Sequence, residues 1–402
     1  MPAATPGRAR LGVALMFFTN GVLYSALLPR YPEIKAALDL SNTAFGLVVV
    51  AFPAGAIAAA ATAAPIVRRF GAPAVTAVGS AVLAAAMVLA GFHPSVLLLV
   101  LALALGGIVD AVVDAAQNVQ GVAVERWVGR SIINSLHAVW SLGAATGGLI
   151  GALAAARDVS IGTQMIVNGI VWVLVAVLGS WLAALPPAAA RTADDVADEA
   201  ATPTAGRWTA LRLVLPLVVL ATCGTLVEDV SNNWAVLYLG SEAGAPTGIA
   251  ALVLTVVLVS QFVGRLLGDP MTDRWGRDAV ARSGGVLIAA GMALAMLPAP
   301  YPLAFLGFAL MGFGSATLVP AAFAAADRVP GLSAGTGIAL LGWLMRIGFL
   351  VTSPAVGALS DATSLRAALL IPLAAGLVAA VLAHRAGRAA RASGAARPPA
   401  AS

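Results

Sequence analysis

The stretch Gly106-Gly107-Ile108-Val109-Asp110-Ala111-Val112-Val113-Asp114-Ala115-Ala116-Gln117-Asn118-Val119-Gln120-Gly121 places two carboxylates inside an apolar run that begins at Val96. Asp110, Asp114, Gln117, Asn118 and Gly121 recur at spacings of three and four, which puts them on one face of a helix. The opposite face is Ala, Val, Ile and Leu. Such a helix has lipid or packed protein on one side and a polar space on the other. Ionisable side chains in a membrane-length segment are costly and point to function. The segment therefore predicts a membrane-spanning helix that lines a cavity.

The composition agrees. Hydrophobic residues make up 60% of the chain and charged residues only 10%, where a soluble chain carries about 25% charged. Mean hydropathy is +0.95. Lys35 is the single lysine beside 22 arginines, and net charge is +5. A basic balance evokes nucleic acid, but these arginines sit in short loops between apolar runs, the pattern of membrane topology; no nucleic-acid partner is expected. Cys223, the lone cysteine, lies in an apolar run and excludes a disulfide framework. His93, His137 and His384 are scattered, so no metal centre is expected, and no cofactor is implied. No short apolar core followed by a cleavage site marks a removable signal.

Apolar segments of about 20 residues suffice to cross a bilayer. Twelve are read here: 11–31, 44–67, 73–92, 95–124, 132–156 and 161–185, then 211–239, 248–268, 279–297, 302–326, 334–358 and 366–383. They define an N-terminal bundle (11–185) and a C-terminal bundle (211–384). A solvated linker at 186–210 carries Asp194, Asp195, Asp198 and Glu199. Residues 1–10 and a basic tail at 385–402, read as disordered, complete the chain. With the N-terminus inside, seventeen Lys and Arg fall in inner segments and four in outer ones, and Arg265 and Arg346 lie within spans. That bias predicts both termini on the cytoplasmic side and an even helix count.

Polar residues in the spans are the candidates for chemistry. Span 1 carries Asn20 and Tyr24 one turn apart. Span 5 carries His137 and Trp140, then Gly143, Gly147, Gly148 and Gly151, a face suited to close packing. Span 7 contains Glu228-Asp229-Val230-Ser231-Asn232-Asn233-Trp234, polar enough to suggest a local break in the helix. Gln261 and Arg265 lie on span 8, Trp343 and Arg346 on span 11. The competing readings are structural. An interhelical hydrogen bond accounts for Asn20 or His137 as well as substrate contact does. A buried ion pair accounts for Arg346. Trp140, Trp234 and Trp343 offer faces for a ring or sugar, whereas Trp127 and Trp275 read as interface anchors.

The two halves repeat at an offset of about 205 residues. Arg69-Phe70-Gly71 corresponds to Arg274-Trp275-Gly276, and Thr146 with Gly151-Ala152-Leu153 corresponds to Thr352 with Gly357-Ala358-Leu359. Paired six-helix halves are common in secondary transporters. On these residues the chain resembles the major facilitator superfamily. That family's loop signature between helices 2 and 3 is matched by Asp273-Arg274-Trp275-Gly276-Arg277, preceded by Arg265 and Gly268-Asp269. In the first half Arg68 replaces the expected Asp and Ala72 the expected basic residue, so a charge lock at the gate rests on the second half. Asp114 to Gly121, Ser135 to Gly143 and Asn233-Trp234-Ala235 resemble a bacterial subgroup related to fucose-permease-type transporters.

The resemblance implies an all-α membrane fold of twelve transmembrane helices in two pseudo-symmetric bundles, with helices 1, 4, 7 and 10 around a central cavity. It implies a monomer that exchanges a small-molecule substrate and protons across the bilayer. Asp110 lies 15 residues beyond Ser95, or ~22 Å along a helix. It and Asp114 are candidate proton carriers, with Glu228 and Asp229 as a second pair. Asn20, Tyr24, Gln117, Asn118, His137, Trp140, Asn232, Asn233, Trp234, Gln261, Trp343 and Arg346 are candidate substrate contacts. Arg265, Asp269, Asp273, Arg274, Gly276 and Arg277 are candidate gate residues. The expected function is secondary active transport by alternating access, either proton symport of a sugar or small metabolite, or antiport of a drug or metabolite. Helix 5 lacks the Gly-Pro signature of exporters; its Gly147-Gly148 has no proline, and Pro354 lies in helix 11. A transporter-shaped sensor without flux is the alternative. An enzyme is disfavoured, since the acids lie mid-membrane, and no phosphate-binding loop is present for ATP hydrolysis.

Overall fold

The computed structural model describes residues 5–59, 62–129, 132–185, 207–326 and 336–395. Most of the 186–210 linker and the last residues of the tail lie outside them. Among the described residues, eleven helices are long and apolar enough to cross a membrane. Thr336–Ala362, a further helix of 27 residues, takes the place of the remaining span.

Span 1 is Pro6–Ser25, carried on by a 3-10 turn at Leu28–Arg30 and the helix Tyr31–Ala37. Span 2 is Asn42–Val49 and Ala51–Ala59, followed by Ala63–Phe70. Spans 3 to 6 are Ala72–Phe92, Val96–Val128, Ile133–Ala155 and Ile161–Leu182. Span 7 is Arg207–Ser241, and span 8 is Thr247–Ala250 with Leu252–Trp275. Span 9 is Arg277–Ala295, and span 10 is Tyr301–Ser315 with Leu318–Ala326. Span 11 is Thr336–Ala362, and span 12 is Leu365–Ala368 with Leu370–Ala395. With twelve crossings both termini face one side, here the near side; the other is the far side.

Two expectations are corrected. Span 7 is one continuous helix through Glu228–Trp234, not a broken one. Two of its polar side chains find partners one turn away on the helix: Asn233 Nδ2 donates to Asp229 Oδ1 at 2.9 Å, and Ser231 Oγ to the Val227 carbonyl at 2.7 Å. The backbone ladder therefore stays intact. The tail read as disordered from residue 385 begins as helix, which runs on to Ala395.

The repeat has a local cause. Gly71 and Gly276 take φ of 78° and 81° with extended ψ, turning the chain between spans 2 and 3 and between spans 8 and 9. An L side chain is strained there. Ser160 and Ser364 likewise cap spans 6 and 12, each hydroxyl accepting a backbone N–H three residues on.

Lipid tails are as apolar as the helices, so close packing and polar contacts hold the bundles together. The glycines of span 5 form the expected packing face: a Cβ on Gly143 would strike the Phe18 carbonyl, and one on Gly151 would lie 2.5 Å from the Ala26 oxygen, both on span 1. Far-side locks reinforce each half. Arg30, 2% exposed, donates to both Glu33 carboxylate oxygens, to Gln164 Oε1 at 2.6 Å and to the Val159 carbonyl at 2.8 Å, tying span 1 to span 6. In the second half the polarity is exchanged. Arg366 of span 12 donates to the Glu242 carbonyl at 2.9 Å and to the Met296 carbonyl at 3.0 Å, beside the end of span 7.

The halves meet chiefly on the far side. The start of span 2 packs on the end of span 11, and the end of span 5 on the start of span 8. Gly46 lies against the Ser353 carbonyl, Gly357 against the Asn42 carbonyl, and Gly248 against Ala156. Among the described residues no comparable packing joins the halves at the near side.

Candidate functional site

Three side chains knit spans 1, 4 and 5 together at the centre of the first half. Asn20, only 5% exposed, donates from Nδ2 to Asp110 Oδ1 at 2.8 Å and accepts the Trp140 indole N–H at 2.8 Å. The amide thus uses both its ends, and the carboxylate is held by a neutral donor. Asp114, one turn nearer the near side, accepts from Asn118 Nδ2 at 3.1 Å. The two carboxylates interact electrostatically yet have separate partners.

Asp114 is exposed although it lies inside an apolar span. His137 and Arg346, its electrostatic neighbours, are exposed too. Arg346 belongs to the other half. Its guanidinium makes no hydrogen bond or ion pair with any described residue. Arg265 reaches across the halves from span 8, donating from Nη1 to Ser141 Oγ at 2.7 Å, and also lies in the field of His137. His137 stands edge-on to Phe17 at 5.3 Å between ring centroids. Titratable side chains from spans 4, 5, 8 and 11 therefore lie near one another, three of them exposed. Arg346 is exposed within an apolar span, so its charge is left to water, to the field of Asp114 or to an anionic group entering there.

On the far side of Asn20 an aromatic chain closes the space. Tyr24 stacks on Phe52 at 4.0 Å, and its hydroxyl lies 3.2 Å from that of Tyr31. Tyr31 meets Phe45 edge-on, and Phe45 meets Trp234 of the second half the same way, each at 5.4 Å. Trp234 is fully buried and donates to Ser353 Oγ at 3.1 Å. Ser353 in turn donates to Asp229 Oδ2 at 2.5 Å, and Asn233 to Asp229 Oδ1.

The remaining candidates divide between buried contacts and open positions. Gln117, wholly buried, donates to the Met16 carbonyl at 3.0 Å, and Gln261, 3% exposed, donates to Ser315 Oγ at 3.2 Å. Asn233 and Trp234 belong to the closed far-side layer. Glu228, Asn232 and Asn118 are half-buried. Of the gate residues, Asp273, Arg274, Gly276 and Arg277 are exposed at the near side. The side chains of Trp343 and Asp269 lie outside the described residues. Tyr31, Phe45, Ser353 and Asp361 did not stand out in the sequence; an aromatic or serine in an apolar helix carries no signal until its partner in the other half is known.

The major facilitator superfamily model matches residues 13–245 and 217–399, together nearly the whole chain. The chain belongs to this superfamily. It is therefore a multi-pass membrane transporter of the major facilitator type, and its relatives are transporters, not enzymes. An uncharacterised transporter of Sinorhizobium fredii, y4wD, is 29% identical over 365 residues, covering 90% of this chain and 93% of that one. The nucleoside transporter NupG superposes with a TM-score of 0.71 at 14% identity, covering 94% of this chain and 98% of that one. FucP in its outward conformation superposes with a TM-score of 0.61 at 18% identity, covering 93% and 97%. Both structural likenesses show the fold of this superfamily.

Proposed function

We propose that this chain is a secondary active transporter that couples proton movement to a small polar solute by alternating access, here with its far side closed. One observation carries the reading. Asp114, exposed inside an apolar span with Asp110 one turn away, lies in the field of Arg346 from the other half, inside segments otherwise built for lipid. Such groups are retained in transporters as substrate and proton sites.

Asp110 and Asp114 take up and release the proton, and Glu228 and Asp229 form the second pair. The solute sits between the Asn20–Trp140 pair and Arg346, with Tyr24 as its far-side wall. Rocking of the halves breaks the contacts at Gly46, Gly357 and Gly248 and packs the near side, where Arg265, Asp269, Asp273, Arg274 and Arg277 provide charge locks. A nucleoside transporter shares the fold, which is compatible with a polar, ring-bearing solute. The arginine distribution supports cytoplasmic termini in a bacterial inner membrane, with the near side cytoplasmic, and the chain works as a monomer.

The test is uptake of radiolabelled hexoses, nucleosides and sugar acids into proteoliposomes under an imposed pH gradient. Accumulation that collapses on adding a protonophore, and that Asp110→Asn or Asp114→Asn uncouples, is the expected result. Accumulation insensitive to the gradient in the wild type, or unaltered coupling in both variants and the double variant, overturns proton coupling. Ligand binding without flux would make the protein a sensor.

A further inference from the structure

Away from the central space, spans 9 and 12 pack along their length and turn an apolar face outward. Glycines set their separation. A Cβ on Gly285 would lie 2.5 Å from the Ala380 nitrogen, and one on Gly376 would lie 2.7 Å from the Ala289 nitrogen, so the two backbones touch. Near the near side this seam ends in a cleft of about 490 Å³. Its apolar wall is Val286, Leu377 and Val381, each about half exposed. Its rim is Arg282, His384 and Arg385.

The division of chemistry in the cleft is sharp. Arg282 Nη1 lies 3.4 Å from His384 Nδ1, and among the described residues no ion pair engages the guanidinium. Arg385 stands beside it on span 12. Asp278, one turn before Arg282, is exposed and makes no ion pair with it. Arg282 lies five residues past the start of span 9, ~7.5 Å along the axis. The charges therefore sit at the edge of the apolar zone, where long basic side chains reach the headgroup layer.

We infer that this cleft between spans 9 and 12 binds an anionic phospholipid of the near-side leaflet, its phosphate on Arg282 and Arg385 and an acyl chain along Val286, Leu377 and Val381. The occupant follows from complementarity. A guanidinium pair suits a phosphate through charge-assisted, often bidentate hydrogen bonds. Basic pockets between transmembrane helices are sites for anionic headgroups. An apolar wall open to the bilayer suits an acyl chain and not a free anion. The inference does not depend on the solute or on proton coupling.

The experiment is native mass spectrometry of the full chain in detergent, titrated with dioleoyl phosphatidylglycerol or dioleoyl phosphatidylcholine. The wild type is expected to retain phosphatidylglycerol in preference. Arg282→Gln with Arg385→Gln should lower that preference about twenty-fivefold, from about fivefold per charge. Val286→Trp, which fills the cleft and leaves the charges, should also lower occupancy. Arg69→Gln, an exposed arginine of the other half, should not. Equal retention of both lipids by the wild type overturns the inference, as does an unchanged preference in the double variant. If the double variant fails to fold, Val286→Trp decides: undiminished phosphatidylglycerol binding there overturns the site.

Discussion

Asp361, exposed beyond the apolar part of span 11, accepts the backbone N–H of Thr43 at 2.7 Å, so that a carboxylate of one half caps the first turn of span 2 in the other. Its second oxygen accepts the Asn42 N–H at 3.0 Å, and Asn42 Nδ2 donates to the neighbouring Ser360 Oγ at 2.9 Å. A negative group at a helix N-terminus is favourable because the first N–H groups there lack intrahelical partners. If the halves rock as proposed, the cap breaks when the far side opens. It is a latch between the halves.

The latch should be sensitive to pH. Slight desolvation pushes the Asp361 carboxyl up, but the hydrogen bonds from Thr43, Asn42 and Ser41 outweigh it, and its pKa falls below the ordinary carboxylate value. A depressed pKa means that the latch contributes fully above the pKa of the released carboxyl. The contribution is lost as pH falls through the latched value. Spin labels at Asp39 and Thr363 should show one short distance at neutral pH and a growing longer population in acid. Asp361→Asn should show that population at neutral pH, with less change on acidification. A distance distribution independent of both pH and the substitution would refute the latch.

Asn20 should matter more for coupling than for folding. Its removal leaves Asp110 and the Trp140 indole without partners, at about 1–3 kcal/mol each. Because Asp110 borders the open space, water recovers part of that cost. Asn20→Ala is therefore expected to lower pH-gradient-driven uptake about tenfold or more while thermal stability falls only modestly. Uptake kinetics and a melting curve on one preparation separate the two effects.

Arg346 should decide affinity. Among the described residues its guanidinium makes no hydrogen bond or ion pair, and hydrogen bonds to charged groups contribute about 1.5–3 kcal/mol. Arg346→Gln should raise the half-saturating concentration of a carboxylate-bearing solute about tenfold or more. It should leave a neutral analogue nearly unaffected. Arg346→Lys should restore only part, because a point charge lacks the planar fork. Competition assays with a sugar acid and the matching neutral sugar give the readout.

Two glycines should separate stability from conformation. Gly151 packs on Ala26 within the first half, whereas Gly357 packs on Asn42 across the halves. Overpacking costs about 1–3 kcal/mol. Gly151→Ala should appear mainly as a lower melting temperature. Gly357→Ala should leave each bundle intact and shift the population toward an open far side, seen as greater reactivity of a cysteine placed at Tyr24. Equal melting and reactivity changes in the two variants would contradict this division.

The spans, the repeat and the polar faces were legible in the sequence because each rests on short-range order. Apolar runs set the helices. Gly71 and Gly276 mark turns that require positive φ. Asp110 and Asp114 stand out against lipid-compatible neighbours. The glycine face of span 5 was readable for the same reason. The expected break in span 7 failed because Asp229, Ser231 and Asn233 found partners one turn away.

Only the tertiary structure decided which polar residues border the open space and which are buried contacts. Gln117 and Asn118 are adjacent in sequence, yet one is wholly buried on the Met16 carbonyl and the other stays half-buried beside Asp114. The contact of Asp361 with Thr43 joins residues 318 positions apart. Hydropathy and periodicity report the solvent each helix expects on each face. They carry no information on how two finished bundles are set against each other, and that relative placement creates both the latch and the open space.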